Sequence, residues 1–360
     1  MTPYHILMPP EAYEKAEAYR IKLASTSTKL TGVYLQQELQ GKELSSLSTE
    51  SFIEHLVATK PPLIFAESAV HGNGKDWNQI ELSILGDIGV ATGVLVYDDG
   101  KHFHPQVHKT PFTATLLYIP GALLRNGTGN VPADWDEVTR NGQIDPIAYQ
   151  ALYERRLLPL FLYANDQAKA EDRKALVTMP GLGCGQFAGP FIGRMGAYLN
   201  DAIVALLQKY AAHLPYIKAV YFDPFNECQN DRIEFGDLSL LVRPLMQGNQ
   251  DKPQLCEPTR YAEDGDDFSD CLLFSVVAWD HVSWPGNDFY GGVRATDDGV
   301  KAAATNSMAA LTDIQGQYNP LRNTYDPPLQ YRNWAEVVKQ NNLKLSVQNN
   351  LSILSIDNDC

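Results

Sequence analysis

The stretch ALVTMPGLGCGQFAG, residues 175–189, decides how the rest of the sequence is interpreted. Its first six residues are an apolar run with β-branched members, which predicts a buried strand. A loop with four glycines follows, and residues 194–213 then carry apolar side chains at helical spacing. A strand, a glycine-rich loop and a helix N-terminus together favour anion binding, because glycines admit close backbone approach and free N–H groups attract phosphate. The loop therefore predicts a diphosphate site.

The spacing of these glycines excludes the two commonest phosphate loops. The sequence lacks GxxxxGK[ST], so no P-loop lysine follows the strand. Gly181, Gly183 and Gly185 follow the pattern GxGxG instead of GxGxxG, and Asp201 falls inside the predicted helix and not on a second strand. A tight turn that only packs a helix on a strand explains the same pattern. Pattern alone leaves both interpretations open.

Composition limits the class of protein. The chain has 360 residues, enough for a large core in one elaborated domain or two. Its net charge of −14 argues against a nucleic-acid partner, which requires a basic face. The five cysteines form no CxxC pair, which indicates a reducing compartment and no structural zinc. No run reaches the roughly 18 apolar residues of a membrane span.

Hydrophobic periodicity predicts an α/β fold with a helical N-terminal layer over residues 1–60 and a main α/β domain over 61–360. Surface insertions are expected near residues 121–146 and 228–270, which are rich in loop-forming or acidic residues. The predicted helices are 11–24, 51–59 (with Thr49 and Ser51 as cap candidates), 147–156, 194–213 and 300–311, with one more within 333–356. The predicted strands are 63–70, 89–97, 113–119, 158–164, 175–180, 217–222 and 271–278, followed by a strand-like C-terminal end.

Three acids follow the apolar strand 271–278. Asp280 lies where that strand leaves the sheet, Asp288 in a Pro-Gly-Asn-Asp turn and Asp298 just before the next helix. Ligands of open α/β sheets bind beyond the carboxyl ends of strands, so this acidic loop and the glycine loop are predicted to converge on one crevice. An acid after eight apolar residues also needs a partner or solvent, which makes Asp280 the hardest of the three to explain structurally.

Structural alternatives exist for most of these side chains. Asp297 or Asp298 would serve as the N-cap of the following helix, and Asp288 would close an Asx-turn with Asn287. Trp279 and Trp284 would be rim aromatics, or else a wall for a ribose or adenine ring.

Three histidines cluster at His102, His104 and His108, and they suggest a zinc site. No cysteine or acidic ligand set accompanies them, and Pro105 indicates a loop. Solvated or locally hydrogen-bonded histidines are the favoured interpretation, and no metal site is predicted. A second loop, HGNGKDW at residues 71–77, is a place for ligand contact because it combines glycines with a predicted strand end.

The segment PGLGCGQFAGP, followed by a helix and IKAVYFDPF, resembles the diphosphate loop of macrodomains, and GCGQF is similar to the GCGxF of poly(ADP-ribose) glycohydrolases. Both families bind ADP-ribose. The end of the strand at FDPFN would then lie beside the adenosine, and GDI at residues 86–88 is similar to the acid-bearing start of a macrodomain. Gly291-Gly292-Val293 resembles the ribose loop, although here it follows the diphosphate loop. AWDH replaces the usual NAAN, and the QEE signature of the glycohydrolases is missing.

The three acids together with GCGQF resemble the atypical macrodomain effectors of Legionella. That resemblance implies a macrodomain-like three-layer α/β/α mixed sheet in permuted order. It also implies an ADP-ribosylhydrolase that removes ADP-ribose from arginine of a protein, ubiquitin in the first instance, inside a host cell and without a metal or cofactor. The catalytic candidates are Asp280, Asp288 and Asp298. The ligand-binding candidates are Gly181, Gly183, Cys184, Gly185, Gln186, Phe187, Gly189, Phe225, Asn226, Trp284 and Asn287. The alternative is a non-catalytic module that binds ADP-ribose through the same pocket.

Overall fold

A nine-stranded mixed sheet forms the centre of the described chain. The computed structural model describes residues 4–25, 30–64, 76–125 and 131–356. The strands are β1 (Tyr4–Met8), β2 (Gly89–Asp98), β3 (Val107–Pro120), β4 (Thr139–Arg140), β5 (Gln143–Ile144), β6 (Lys174–Pro180), β7 (Ile217–Asp223), β8 (Asp231–Phe235), β9 (Leu238–Val242), β10 (Cys271–Trp279), β11 (Gln317–Asn319), β12 (Thr324–Asp326) and β13 (Leu351–Ile353). The sheet order is β13-β1-β2-β3-β10-β6-β7-β9-β8, and β4-β5 and β11-β12 form separate two-stranded sheets.

The helices cover both faces of this sheet. They are α1 (Pro10–Ser25), α2 (Val33–Glu38), α3 (Thr49–Ala58), α4 (Gln79–Gly86), α5 (Trp135–Val138), α6 (Pro146–Ala170), α7 (Met195–Tyr210), α8 (Asp297–Ala304), α9 (Ser307–Thr312) and α10 (Trp334–Gln340). One core contains buried side chains of α1, α3, α8, α9 and α10, and the second contains those of α6 and α7. The predicted α/β class with a mixed sheet is therefore confirmed, and the covered sheet makes three layers. No helix in the described part of the chain is long and apolar enough to cross a membrane.

Five neighbouring strands run in the same direction and set the position of the site. β3, β10, β6, β7 and β9 pair in parallel, in that order. Trp279 at the end of β10 is in register with Pro120 at the end of β3, and Pro180 of β6 is in register with Asp223 of β7. The loops that follow these strands therefore meet at one edge of the sheet. The glycine loop leaves β6 and the acidic loop leaves β10, which are adjacent.

The predicted strand 158–164 is wrong, because this segment lies inside α6. Asp145 caps that helix by accepting hydrogen bonds from the N–H groups of Ile147 and Ala148, and Pro146 occupies its first position. The apolar run LPLFLYA is long enough for a buried strand, but its fully buried members recur at the helical spacing Leu157, Leu160, Phe161 and Ala164. Short apolar runs do not distinguish the two structures.

Other boundaries also differ from the predictions. The N-terminal segment contributes β1 to the sheet as well as its predicted helices, and Ser48 caps α3 instead of Thr49 or Ser51. The predicted helix 300–311 consists of two helices, α8 and α9. Residues 121–124 are buried, and 228–270 supplies β8 and β9 to the sheet edge. Most of the predicted strand 63–70 and of the loop 71–77 lies outside the described residues.

The candidate active site

The glycine loop packs against the segment that follows β3. The N–H of Leu124 donates to the carbonyl of Phe187 at 2.7 Å. Gly183 and Gly189 have φ values of +70° and +53°, where other residues are strained. A Cβ at Gly183 would lie 2.8 Å from the Ala122 N, and one at Gly189 would lie 2.6 Å from the Leu124 carbonyl oxygen. These two glycines are therefore required by close backbone approach, as the loop pattern predicts.

Three consecutive N–H groups of the glycine loop point to anion binding. Neither hydrogen bonds nor caps within the described chain give an acceptor to the N–H of Gly185, Gln186 or Phe187. Gly185 and Gln186 are exposed, and a Cβ at Gly185 would meet open space. The guanidinium of Arg125 donates to the Gln186 side-chain oxygen at 2.5 Å, which adds a positive charge beside the loop. Successive unpartnered N–H groups form an anion-binding concavity.

Cys184 lies beneath this loop and not on its surface. Its thiol is buried and contacts the Leu182 carbonyl oxygen at 3.7 Å. Burial, followed by the charge of Glu227, raises the pKa of Cys184 well above its usual range. The Cys184 side chain therefore packs as a small apolar group. Gly181 lies above it, since its Cβ would be 3.2 Å from the sulfur.

The aromatic candidates at the end of β7 separate into a core residue and a surface residue. Phe222 is fully buried, so the core interpretation holds for it. Phe225 is 56% exposed with a φ of +59°, and Asn226 is also exposed. The Asp223 carboxylate fixes this bend by accepting from the N–H groups of Phe225 and Leu245 at 2.8 and 2.7 Å. Phe225 thus presents an exposed ring after the end of β7, and its stacking on a base stays a prediction.

Asp280 organises the start of the acidic loop. Its carboxylate accepts hydrogen bonds from the N–H groups of Val282 and Ser283, both at 2.7 Å, and from the Ser283 hydroxyl at 2.6 Å. The Asn287 amide nitrogen lies 3.3 Å from the same carboxylate. This acid after an apolar strand is therefore satisfied by its own loop, and it is buried at 5% exposure.

Asp288 and Asp298 meet through one hydroxyl. The Thr296 Oγ1 lies 2.5 Å from an oxygen of each carboxylate. A hydroxyl has one proton to donate, so the second short contact needs a proton on a carboxyl group. Burial, and next the charge of Asp288, raises the pKa of Asp298 well above its usual range. Asp298 is therefore the protonated member of this pair, while Asp288 accepts from the N–H groups of Ala295 and Thr296 at 2.9 and 3.0 Å.

The N-cap alternative for Asp297 and Asp298 is wrong. Thr296 caps α8 by accepting from the Gly299 N–H at 3.2 Å. Asp297 instead accepts from the Ala278 N–H at 2.8 Å and from the buried ammonium of Lys301 at 3.1 Å. Asp288 accepts instead from the N–H groups of Ala295 and Thr296, so within the described residues it closes no Asx-turn with Asn287.

The two tryptophans are not rim residues. Trp279 and Trp284 are 4% and 3% exposed and belong to a hydrophobic core. The Trp284 indole N–H donates to the Lys60 carbonyl at 2.9 Å, so it holds the segment before residue 65 against the acidic loop. Asn287 also holds this segment. Its side-chain oxygen accepts from the Ile64 N–H at 2.9 Å, and its side-chain nitrogen donates to the Ile64 carbonyl at 2.8 Å. Contact of Trp284 or Asn287 with a ligand stays a prediction.

A buried ionic network beneath the site was missed by sequence reasoning. The guanidinium of Arg156 is 1% exposed and donates to Asp134 at 2.6 Å and to Asp87 at 3.2 Å. His281, directly after Asp280, places its Nε2 3.2 Å from the Asp134 carboxylate. Although burial opposes it, Arg156 with His281 holds the pKa of Asp134 well below its usual range. This network ties α4, α5 and α6 to the first residue after Asp280.

Asp87, the acid of the GDI tripeptide, belongs to this network. Its carboxylate accepts from Arg155 at 2.7 Å as well as from Arg156, and its side chain is fully buried. Its two oxygens are thus held by arginines inside the protein.

Two of the three clustered histidines contact backbone carbonyls of segments that are distant in sequence. His102 Nδ1 lies 3.0 Å from the Ala295 carbonyl oxygen, and His108 Nε2 lies 2.9 Å from that of Leu255. Across residues 4–25, 30–64, 76–125 and 131–356, no three His, Cys, Asp or Glu side chains are grouped as a metal site would require.

Comparison with models of known protein families identifies the family to which the chain belongs. The sequence model described as "MavL: Macrodomain effector MavL" matches residues 4–331. The chain belongs to the MavL macrodomain effector family. The predicted macrodomain-like fold is thereby confirmed, and membership supports ADP-ribose as the ligand of the crevice. A comparison with curated proteins returns no match.

The residues that match the MavL family model include both loops of the predicted site. The matched range includes the glycine loop after β6 and the acidic loop after β10. The adjacency of these strands explains how two loops that are about a hundred residues apart in sequence form one macrodomain crevice.

Proposed function

We propose that this MavL-family macrodomain is an ADP-ribosylhydrolase that releases ADP-ribose from a modified arginine of a protein. The observation that carries the proposal is the pairing of Asp288 and Asp298 through the Thr296 hydroxyl, on the loop adjacent to an anion-binding glycine loop. A module that only binds ADP-ribose has no need of two carboxyl groups with different protonation at one hydroxyl. Two such groups are typical of sites that separate acid and base roles.

The chemistry follows from these protonation states. Cleavage of the ribose C1–N bond passes through an oxocarbenium-like state, as in glycoside hydrolysis. Asp288 is the ionised group that orients and deprotonates the attacking water, with Asp280 as the second candidate for that role. Asp298, held neutral by burial, gives its one proton to the contact with Thr296 Oγ1, so it holds a ribose hydroxyl or the leaving guanidine as a hydrogen-bond acceptor. The glycine loop binds the diphosphate through its N–H groups.

The protein substrate and the setting are part of the proposal. The net charge of −14 suits a substrate segment that carries arginine. Ubiquitin is the protein that we propose from the resemblance given in the sequence analysis. The cytosol of a host cell is the proposed place of action, because the matched family is described as an effector family. Comparing release from arginine-modified ubiquitin with release from another arginine-modified protein tests the substrate; equal rates from both would overturn the choice of ubiquitin.

The central experiment measures ADP-ribose release from an arginine-ADP-ribosylated protein, with EDTA present throughout. Release by the wild-type protein supports a hydrolase that works without a metal. Release that EDTA abolishes and Mg²⁺ restores would instead favour a metal-assisted hydrolase that uses the same acids. Absence of release, with ADP-ribose still bound in calorimetry, would favour the binding module, and absence of binding would overturn both.

Replacing Gln186 by proline tests the glycine loop. Proline removes one of the three free N–H groups but fits the first position of the short helix that begins there. Gln186→Ala is the matched control, because it removes the side chain and keeps the N–H. Hydrogen bonds to charged groups contribute about 1.5–3 kcal/mol, so Gln186→Pro is expected to bind ADP-ribose about 10- to 100-fold more weakly than Gln186→Ala in calorimetry. Equal affinities would contradict a role for this N–H in binding.

Replacing Gly299 by alanine tests the position of Asp288. A Cβ at Gly299 would overlap the Asp288 carboxylate, although alanine otherwise favours a helix. The carboxylate must therefore move, and we expect ADP-ribose release to fall by about 10²-fold with little change in thermal stability. Gly93→Ala is the control, since a Cβ there meets no atom within 4 Å. Full activity in Gly299→Ala would show that Asp288 does not need its present position.

A further inference from the structure

Lys60 is a buried lysine beside the acidic loop, and its ammonium has no hydrogen-bond partner in the part of the chain that the structure describes. Its ammonium nitrogen lies 3.9 Å from the centre of the Trp279 ring and donates no hydrogen bond to any acceptor within the described residues. The residue is 3% exposed. A buried ammonium without hydrogen bonds is costly, so a lysine at this position requires a reason.

The backbone around Lys60 is bound to the acidic loop. The Trp284 indole and backbone N–H groups donate to the carbonyls of Lys60 and Pro61 at 2.9 and 3.0 Å. Ile64 pairs twice with the Asn287 side chain. Residues more than 200 positions apart in sequence are thus held together, and the ammonium is carried to the point where β10 ends.

Asp280 is the charged group that acts on Lys60. Burial lowers the pKa of Lys60 to about 7, and the charge of Asp280 opposes that shift. The carboxylate of Asp280 is itself buried, and its charge contributes to the raised pKa of Asp298 after burial and Asp288. Lys60, Asp280, Asp288 and Asp298 therefore interact electrostatically, and the buried pair of Lys301 and Asp297 also acts on Asp298.

We propose that Lys60 is a positioning residue, whose ammonium is the counter-charge of Asp280 and thereby maintains the charge state of the acidic loop. Its protonated form balances the carboxylate at the end of β10 and holds the Trp279 face beneath it. When Lys60 loses its proton, the negative charge of Asp280 acts on Asp298 without the opposing charge of Lys60, and Lys301 beside Asp297 is the buried cation that remains. As far as it concerns turnover, this proposal rests on the hydrolase function proposed above.

The proposal predicts that deprotonation of Lys60 raises the stability of the folded protein and lowers its activity. The folded protein binds the Lys60 proton less tightly than the unfolded chain, so the cost to stability is complete below about pH 7 and is relieved as the pH rises towards 10.5. Activity changes in the other direction, because deprotonation above about pH 7 removes the counter-charge. A residue retained for packing alone would not produce this opposition.

The test compares Lys60→Met and Lys60→Arg with the wild-type protein, and Lys42→Met is the control for loss of an exposed lysine. We expect Lys60→Met to raise the thermal midpoint at pH 6 and to lower kcat for ADP-ribose release by about tenfold, equivalent to one pKa unit of interaction. Its pH profile should lack the alkaline decline of the wild type. Lys60→Arg should keep activity at alkaline pH, because its guanidinium does not titrate there.

A spectroscopic measurement separates this proposal from the proposed hydrolase function. Tryptophan fluorescence of the wild-type protein should change with a midpoint near pH 7, through the ammonium over Trp279. Lys60→Met and Trp279→Phe should both lack this transition, and Asp280→Asn should move its midpoint to lower pH. If the wild type has no turnover, these shifts still support the charge pair. A transition that persists in Lys60→Met, or unchanged kcat and pH dependence in an active protein, would overturn the proposal.

Discussion

Asp288→Asn is expected to lower the rate of ADP-ribose release by about 10²–10⁴-fold, the usual contribution of a positioned general base. Asparagine keeps the shape of the side chain and can still accept from the N–H groups of Ala295 and Thr296. It cannot take a proton from water. The loss should therefore appear in kcat, while the affinity for ADP-ribose measured by calorimetry changes little.

A matched control is available on the surface of the same protein. Asp136→Asn removes an equal charge from an exposed position in α5. Its release rate should equal that of the wild type, so that general loss of negative charge is separated from loss of the base. If Asp288→Asn retained wild-type kcat while Asp280→Asn lost activity, the general base would be Asp280 and not Asp288.

The protonation of Asp298 gives this comparison a pH dependence. Its pKa is raised by burial and by Asp288, so at neutral pH the folded state holds a proton that the unfolded chain releases. The burial of Asp298 therefore costs stability as the pH rises above the ordinary range of a carboxyl group. Removing the charge of Asp288 relieves part of that cost, and Asp288→Asn should be at least as stable as the wild type near pH 7. Lower activity with preserved stability is the combination expected of a catalytic carboxylate.

Local sequence patterns predicted the parts of the site that depend on one strand and its loop. The strands β6 and β10 and their two loops could be found because buried parallel strands are continuous apolar runs. Their adjacency followed from the rule for open α/β sheets. The same signal misplaced residues 158–164, since an apolar run inside a long helix has similar composition.

The remaining parts depend on contacts that no local pattern contains. Lys60 lies over Trp279 at the end of β10 because the segment after α3 is hydrogen-bonded to Trp284 and Asn287, more than 220 positions away. Arg156 lies within a helical repeat whose other inward residues are apolar, and its carboxylate partners come from two separate loops. Burial of a lysine or an arginine is rare enough that composition argues against it. Only the folded chain reveals these two cations.

Arg156→Met is expected to lower the free energy of unfolding by about 3–5 kcal/mol, because it removes the guanidinium paired with buried Asp134 and one of the two arginines paired with buried Asp87. Asp134 and Asp87 are fully buried, and each accepts from this guanidinium at 2.6 and 3.2 Å. Methionine fills much of the volume but supplies no donor. Denaturant-induced unfolding at pH 7 measures the difference.

The pH dependence of the loss in unfolding free energy of Arg156→Met identifies the cause of that loss. Arg156 and His281 hold the pKa of Asp134 below its usual value of 3.8 against the effect of burial, so the stability from this interaction is present above that pH and is lost as the pH falls. In Arg156→Met the carboxyl group takes a proton more readily, and the deficit should shrink below about pH 4. Arg173→Met is the control, because its half-exposed ion pair with Asp270 contributes at most about 1 kcal/mol. A deficit for Arg156→Met as small as this control, or one independent of pH, would show that packing and not charge pairing holds α6 beneath the site.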